Sequence, residues 1–194
     1  MPKSRLEAFS DGVLAIIITI MVLELRAPHG EGLDTLLPLM PQLLSYVLSF
    51  IYVGIYWNNH HHLLHTATHV SGAVLWANLN LLFWLSLFPF ATAWMGENHF
   101  GSMPSAVYGF VLTMAAIAYF VLEHAIMRVE GSDSVLRRAV GKDWKGKLSV
   151  VAYVIAMFAS FAVQWLAQMI YVAVALAWLV PDRRIERIVD SERP

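Results

Sequence analysis

Three groups of polar residues break into long apolar runs, and they are the side chains that could carry chemistry. The first is Arg5-x-x-x-Phe9-Ser10-Asp11, directly before an uncharged run from Gly12 to Leu23 in which Thr19 is the only polar side chain. The second is Tyr56-Trp57-Asn58-Asn59-His60-His61, and the third is Asn78-Leu79-x-x-Leu82-Phe83, running on to Pro89-Phe90-x-Thr92. A helix through the first group places an acid and a base in or beside the hydrocarbon layer of a membrane. Ionisable residues at that depth are costly, so they face a bundle interior and mark a partner or a pathway. The plainer alternative makes Asp11 a helix-start residue at the membrane surface, with Ser10 as cap.

An Asp11 carboxylate accepts hydrogen bonds from Arg5, or from a His or Trp donor on another helix. His60 or His61 falls at the same membrane depth, and Trp57 and Asn78 can complete the network. Such a cluster would hold the first helix against its own subunit. The histidines also invite a metal reading, because His61, His65 and His69 recur every four residues and such spacing can chelate zinc from one helix face. Against it, the chain has no cysteine, and no paired carboxylate lies nearby in sequence. No metal or other cofactor is expected. A haem carrier would need axial histidines deep inside facing helices. Five of the eight histidines instead crowd the junction after the second apolar run. No Gly-rich phosphate loop or nucleophile–His–acid set occurs, so an enzyme is not expected, and neither is a nucleic-acid partner.

The elements that must position these groups are membrane helices. The 194 residues are 58% hydrophobic and 14% charged, with a mean hydropathy of +0.60; a soluble surface needs more polar cover. Seven Trp and seven Tyr suit the membrane–water interfaces. Glu7 and Asp11 interrupt any signal-peptide pattern, so no cleaved leader is expected. About 20 apolar residues cross the hydrocarbon core. On that length the chain reads as one six-helix domain over residues 1–194, with spans at about 5–26, 36–62, 70–94, 104–127, 148–163 and 165–180. The run 148–180 would be roughly 50 Å long as one helix, so two short helices with a tight turn near Gln164 fit better. Arg128 to Lys147 reads as a polar loop with a short surface helix around Ser134 to Val140. Glu123 and His124 read as polar residues at the cytoplasmic surface, and Glu24 and Arg26 as a snorkelling pair at the outer end of span one, favoured over a ring of Glu24 charge that concentrates cations at the outer mouth.

Charge settles the parity. With both termini in the cytoplasm and six alternating spans, Arg26 alone of the 13 Lys and Arg falls outside, as the positive-inside bias requires. The expectation is a multi-pass protein of the cell (plasma) membrane.

The RxxxFSD string at Arg5 to Asp11, followed in order by YWxxHH at Tyr56 to His61 and NLxxLF at Asn78 to Phe83, resembles the bacterial TMEM175 family of potassium-permeable channels. The resemblance covers nearly the whole chain, and RxxxFSD is its most specific part. It implies an all-α membrane protein with six transmembrane helices per subunit, the first lining a central pore in a homotetramer. Similar channels place a large aliphatic residue five positions after the motif Asp, here Ile16, at the narrowest point. They use the Thr position, here Thr19, for cation discrimination.

Read physically beside that, Ile16, Ile20 and Leu23 share one helix face with Thr19 beside them. An aliphatic stripe on a membrane helix more often packs against a neighbour or lipid; the family match reverses that choice. Four such stripes would stack apolar rings, a constriction that can gate by dewetting. No TVGYG-like carbonyl filter is present, so the expected permeant species is a partly hydrated K⁺ among other monovalent cations. The expectation is a leak-type channel with modest K⁺ preference. A proton-coupled or other cation transporter is the alternative, disfavoured because Asp11 is the only serious acidic candidate within the apolar runs and no internal repeat is visible.

Overall fold

The computed structural model describes residues 2–131 and 143–179, all in helices and their connections. The expected surface helix around Ser134 to Val140 lies outside the described residues. Helix α1 spans Lys3–Leu23. A 3-10 segment, Leu33–Leu39, leads into α2, Met40–His65, whose Pro41 sits in the first turn, where a missing N–H costs least. Then follow α3, Gly72–Ser86, α4, Phe88–Glu97, and α5, Ser102–Glu130. Helices α6, Trp144–Ala162, and α7, Gln164–Leu179, complete the described chain.

Among the described residues, five segments are long and apolar enough to cross a membrane, namely Lys3–Leu23, Leu33–His65, Gly72–Glu97, Ser102–Glu130 and Trp144–Ala162; α7 is apolar but shorter. The third of these is not one continuous helix. It breaks between α3 and α4 at Leu87, because Pro89 lacks the N–H that would continue the ladder. It also runs three residues past the expected end, to Glu97.

Side-chain contacts fix the directions of the helices. Lys3 Nζ donates to the His65 carbonyl at 2.9 Å, and Trp57 Nε1 donates to Asp11 Oδ1 at 3.0 Å. Eight residues forward on α1 therefore match eight residues back on α2, so the two run antiparallel. Ser49 pairs with Tyr108 (2.9 Å), and Tyr119 Oη donates to the Asn59 carbonyl (3.1 Å), which makes α5 parallel to α2. The single residue Val163 separates α6 from α7. Trp178 Nε1 donates to Ser149 Oγ at 2.8 Å, so the two form an antiparallel hairpin. Gln164 and Gln168 at its turn donate to Ser102 and Ser105 at the start of α5, at 2.9 and 2.7 Å. The chain thus alternates direction, and the first and last described helix ends lie at the same end of the bundle.

Small residues let these helices approach. Ala115 and Ala118 of α5, Ala156 of α6 and Ala167 of α7 are fully buried, the usual device where lipid supplies no hydrophobic drive to bring helices together. A side chain at Gly109 would run into the Tyr171 hydroxyl. Tyr52, Tyr108, Tyr171 and Phe88 are the largest buried side chains. Their rings meet edge-on, as Tyr108 does Tyr171 at 5.5 Å and Phe88 at 6.2 Å, the arrangement the ring quadrupole favours.

Candidate functional site

Helix α1 has two unlike sides. Leu6, Ser10, Leu14, Ile17 and Met21 are buried, facing α2, α3 and α4. On the other side Phe9, Ile16, Ile20 and Leu23 are exposed, at 51%, 58%, 40% and 79%. Gly12 and Thr19 are exposed as well. Ile16, Ile20 and Leu23 fall within about 60° of one another around the helix and stack over about 10 Å of its length. Thr19 Oγ1 donates to the Ile16 carbonyl at 2.9 Å. Its one hydrogen is thereby committed to the backbone, and its lone pairs are the part left to face outward.

The buried side of α1 carries a polar chain whose directions can be assigned. Ser10 is fully buried, and its hydroxyl donates to the Leu6 carbonyl at 2.9 Å. Ser10 Oγ then accepts from Asn78 Nδ2 at 3.0 Å. The amide so oriented turns Asn78 Oδ1 toward His60 Nε2, 2.7 Å away. An amide oxygen only accepts, so His60 carries its proton on Nε2. Asn78 and His60 are 0% and 2% exposed, and each atom of the chain has a partner, as burial demands. Ser10 is therefore not a helix cap: α1 begins seven residues earlier with Pro2 at its N-cap.

The structure thus joins Ser10, His60 and Asn78 in one chain and sets the Asp11–Trp57 bond beside it. Three residues expected in this network stand outside it in the single subunit. Arg5 is exposed and makes no side-chain hydrogen bond or ion pair among the described residues. Phe9 lies on the exposed face of α1. His61 is one helix position past the buried face that holds His60, and it stacks on Trp57 at 6.4 Å instead of reaching Asp11. Among the described residues no group of three or more His, Asp or Glu is placed to hold a metal ion; the His61 and His65 rings lie 6.3 Å apart on the surface of α2.

Other polar contacts were not anticipated from sequence. Thr92 of α4 donates to Ser49 of α2 (2.7 Å), which pairs with Tyr108 of α5. Tyr52 Oη donates to the Tyr171 carbonyl (2.7 Å), and Tyr171 Oη to the Ser105 carbonyl (2.9 Å). The signal was present: Ser45, Ser49, Tyr52, Tyr56 and His60 follow the three-and-four spacing of one face of α2, and all are buried. Glu123 is also a correction. It is 3% exposed, and its Oε1 has no hydrogen-bond partner, because its turn of α5 faces the bundle rather than the surface. His124 is exposed and donates from Nδ1 to the Phe120 carbonyl at 2.8 Å. Glu24 and Arg26 are both exposed and do not pair.

Helix α1 is thus apolar, with one side pinned by a buried polar chain and the other left uncovered. A family model described as endosomal/lysosomal potassium channel TMEM175 matches residues 5–89, the part that holds the entire polar chain. A protein of Chryseobacterium sp. (strain P1-3) named as a potassium channel is 56% identical over 187 residues, covering 96% of this chain and 97% of its own. The chain belongs to the TMEM175 family. A second member, from Chamaesiphon minutus and also named as a potassium channel, is 30% identical over 177 residues, covering 84% of this chain and 86% of its own. The crystal structure titled as a lysosomal potassium-selective channel TMEM175 homolog from Chamaesiphon minutus superposes with a TM-score of 0.80. It is 28% identical to this chain and covers 93% of it and 97% of its own length. This TMEM175 member is therefore an all-α membrane protein.

Proposed function

We propose that this protein is a potassium-permeable, weakly K⁺-selective leak channel, assembled as a homotetramer with α1 from each copy lining the central pore. The observation that carries this is the uncovered stripe of Ile16, Ile20 and Leu23, opposite a face anchored by buried hydrogen bonds. Rotational symmetry turns each stripe residue into a ring. Ile16 forms the narrowest one, and the rings hold a hydrophobic constriction that supplies no ligands to replace an ion's water. Thr19 sits between two apolar rings with its lone pairs outward, the one place on the stripe where a hydrated cation meets an acceptor. The Ser10–Asn78–His60 chain and the Asp11–Trp57 bond keep the stripe turned toward the axis.

The protein lies in the cell membrane with both termini in the cytoplasm. Among the described residues, the common end of the bundle carries Lys3, Arg5 and Arg128, and the opposite end carries Arg26 alone among Lys and Arg. Monovalent cations and lipid are its partners, and it performs no enzymatic step.

Reconstitution in planar bilayers under asymmetric K⁺ and Na⁺ tests the reading. Wild type is expected to give a reversal potential displaced modestly toward that of K⁺. Ile16→Asn is expected to raise conductance and lower that displacement. An unchanged conductance and reversal potential in the mutant would remove Ile16 from the pore.

A further inference from the structure

Helices α2 and α3 each leave one amide side chain bare on an apolar flank. Asn58 and Asn80 are exposed, and neither side chain makes a hydrogen bond among the described residues. Asn80 stands among exposed Trp76, Leu79 and Phe83, and Asn58 beside exposed Trp57. A bare amide on a membrane helix finds no partner in lipid, and such side chains join one helix to another. Their positions follow from the buried chain. His60, near the end of α2, and Asn78, near the start of α3, point at each other across 2.7 Å, so the two helices run antiparallel here. Two residues back from His60 and two forward from Asn78 bring Asn58 and Asn80 to one common depth. The same two steps turn each side chain by about 200° around its helix. Because His60 and Asn78 face each other inside the subunit, Asn58 and Asn80 face outward on opposite flanks. They cannot reach one another within a subunit, and they cannot both look onto one pore axis.

The flanks also match in shape, one helical turn away. A side chain at Gly54, on the Asn58 flank, would meet nothing within 4 Å. Phe83, on the Asn80 flank, is 55% exposed. The first leaves a notch and the second a knob at nearly the same depth, and a small residue is what lets helices approach closely in lipid. We infer that neighbouring copies of this chain meet α2 against α3, the Asn58 amide pairing with Asn80 of the partner subunit and the Gly54 notch receiving Phe83 of the partner subunit. This rests on the reading of the protein as a ring of copies around α1. Each amide carries both donors and an acceptor, so the pair can exchange two hydrogen bonds. Each copy presents two different flanks, a heterologous contact that closes into a ring, whereas a two-fold pairing would set each residue against its own counterpart.

The chain has no cysteine, so introduced thiols report on the contact without background. Asn58→Cys together with Asn80→Cys in one chain, treated in membranes with a short bis-thiol cross-linker, is expected to give covalent species up to the full ring on a denaturing gel. Either substitution alone is expected to run as a single chain. So is Asn58→Cys with Ser86→Cys, whose second thiol lies about 9 Å further along α3. The mass of the solubilised wild type, read by light scattering, separates the outcomes. A tetrameric mass without links between positions 58 and 80, or links in either single variant, would overturn the pairing and leave the ring standing. A monomeric mass would remove the ring and the pairing together. Gly54→Leu meets nothing inside its own subunit, so it is expected to keep the wild-type unfolding temperature while association weakens roughly threefold or more per interface. Unchanged association in that variant would overturn the seating of Phe83.

Discussion

Trp57 donates its indole N–H to Asp11 Oδ1 at 3.0 Å, tying α2 to the acid that immediately precedes the apolar run of α1. Trp57 is 48% exposed, so the bond lies at the edge of the subunit. Trp57→Phe keeps the ring and removes the donor. The expected outcome is a smaller share of assembled protein or a lower open probability, at unchanged reversal potential. Chemical cross-linking and bilayer recording measure the two. Asp11→Asn retains an acceptor oxygen and should be milder than Asp11→Ala in the same measurements.

Asn78 is the joint of the buried chain, bonded to Ser10 and His60 at once. Asn78→Leu leaves the His60 N–H without a partner, a loss of about 1–3 kcal/mol. For a chain of this size that corresponds to a fall in Tm of several degrees, roughly 2–4 °C per kcal/mol, read by thermal unfolding in detergent. Ser10→Ala, which keeps the helix and loses one acceptor, should fall between wild type and Asn78→Leu.

The Thr19 hydroxyl gives its hydrogen to the Ile16 carbonyl, so the pore reading uses only its lone pairs. Thr19→Val is isosteric and removes them. The K⁺ over Na⁺ preference should drop toward unity while conductance persists, as a shift in reversal potential reports. An unaltered preference would take Thr19 out of cation discrimination.

Gly109 stands where any side chain meets the Tyr171 hydroxyl, which is itself held by the Ser105 carbonyl. Gly109→Ala is expected to destabilise the α5–α7 contact by about 1–3 kcal/mol, and Tyr171→Phe in the same chain should restore much of it. A double-mutant cycle of thermal stabilities measures the coupling.

Much of the molecule was legible without coordinates, because a bilayer leaves few options. Backbone groups in hydrocarbon must bond within a helix, so apolar length alone gives helices. Residue types alone also named Ser10, Asp11, Trp57, His60 and Asn78, since polar side chains in apolar helices need partners. Sequence could not say which of two adjacent histidines faces inward. One residue turns a helix by about 100°, so His60 is buried while His61 is not. Nor could it place Glu123, whose neighbours in sequence suggest a surface and whose face of α5 points inward. The break at Leu87 was foreshadowed by Pro89, but whether a proline bends a helix or breaks it depends on what packs against the freed carbonyls.

What the chain alone determined is therefore composition, the all-helical class and the motif that marks its family, all set by local periodicity and solvation. The tertiary structure decided rotation. It showed which edge of α1 is pinned by Asn78 and which edge, with Ile16, Ile20 and Leu23, is left uncovered. Rotation about a helix axis is chosen by contacts with residues distant in sequence, here about 68 positions between Ser10 and Asn78, and no local pattern carries that information.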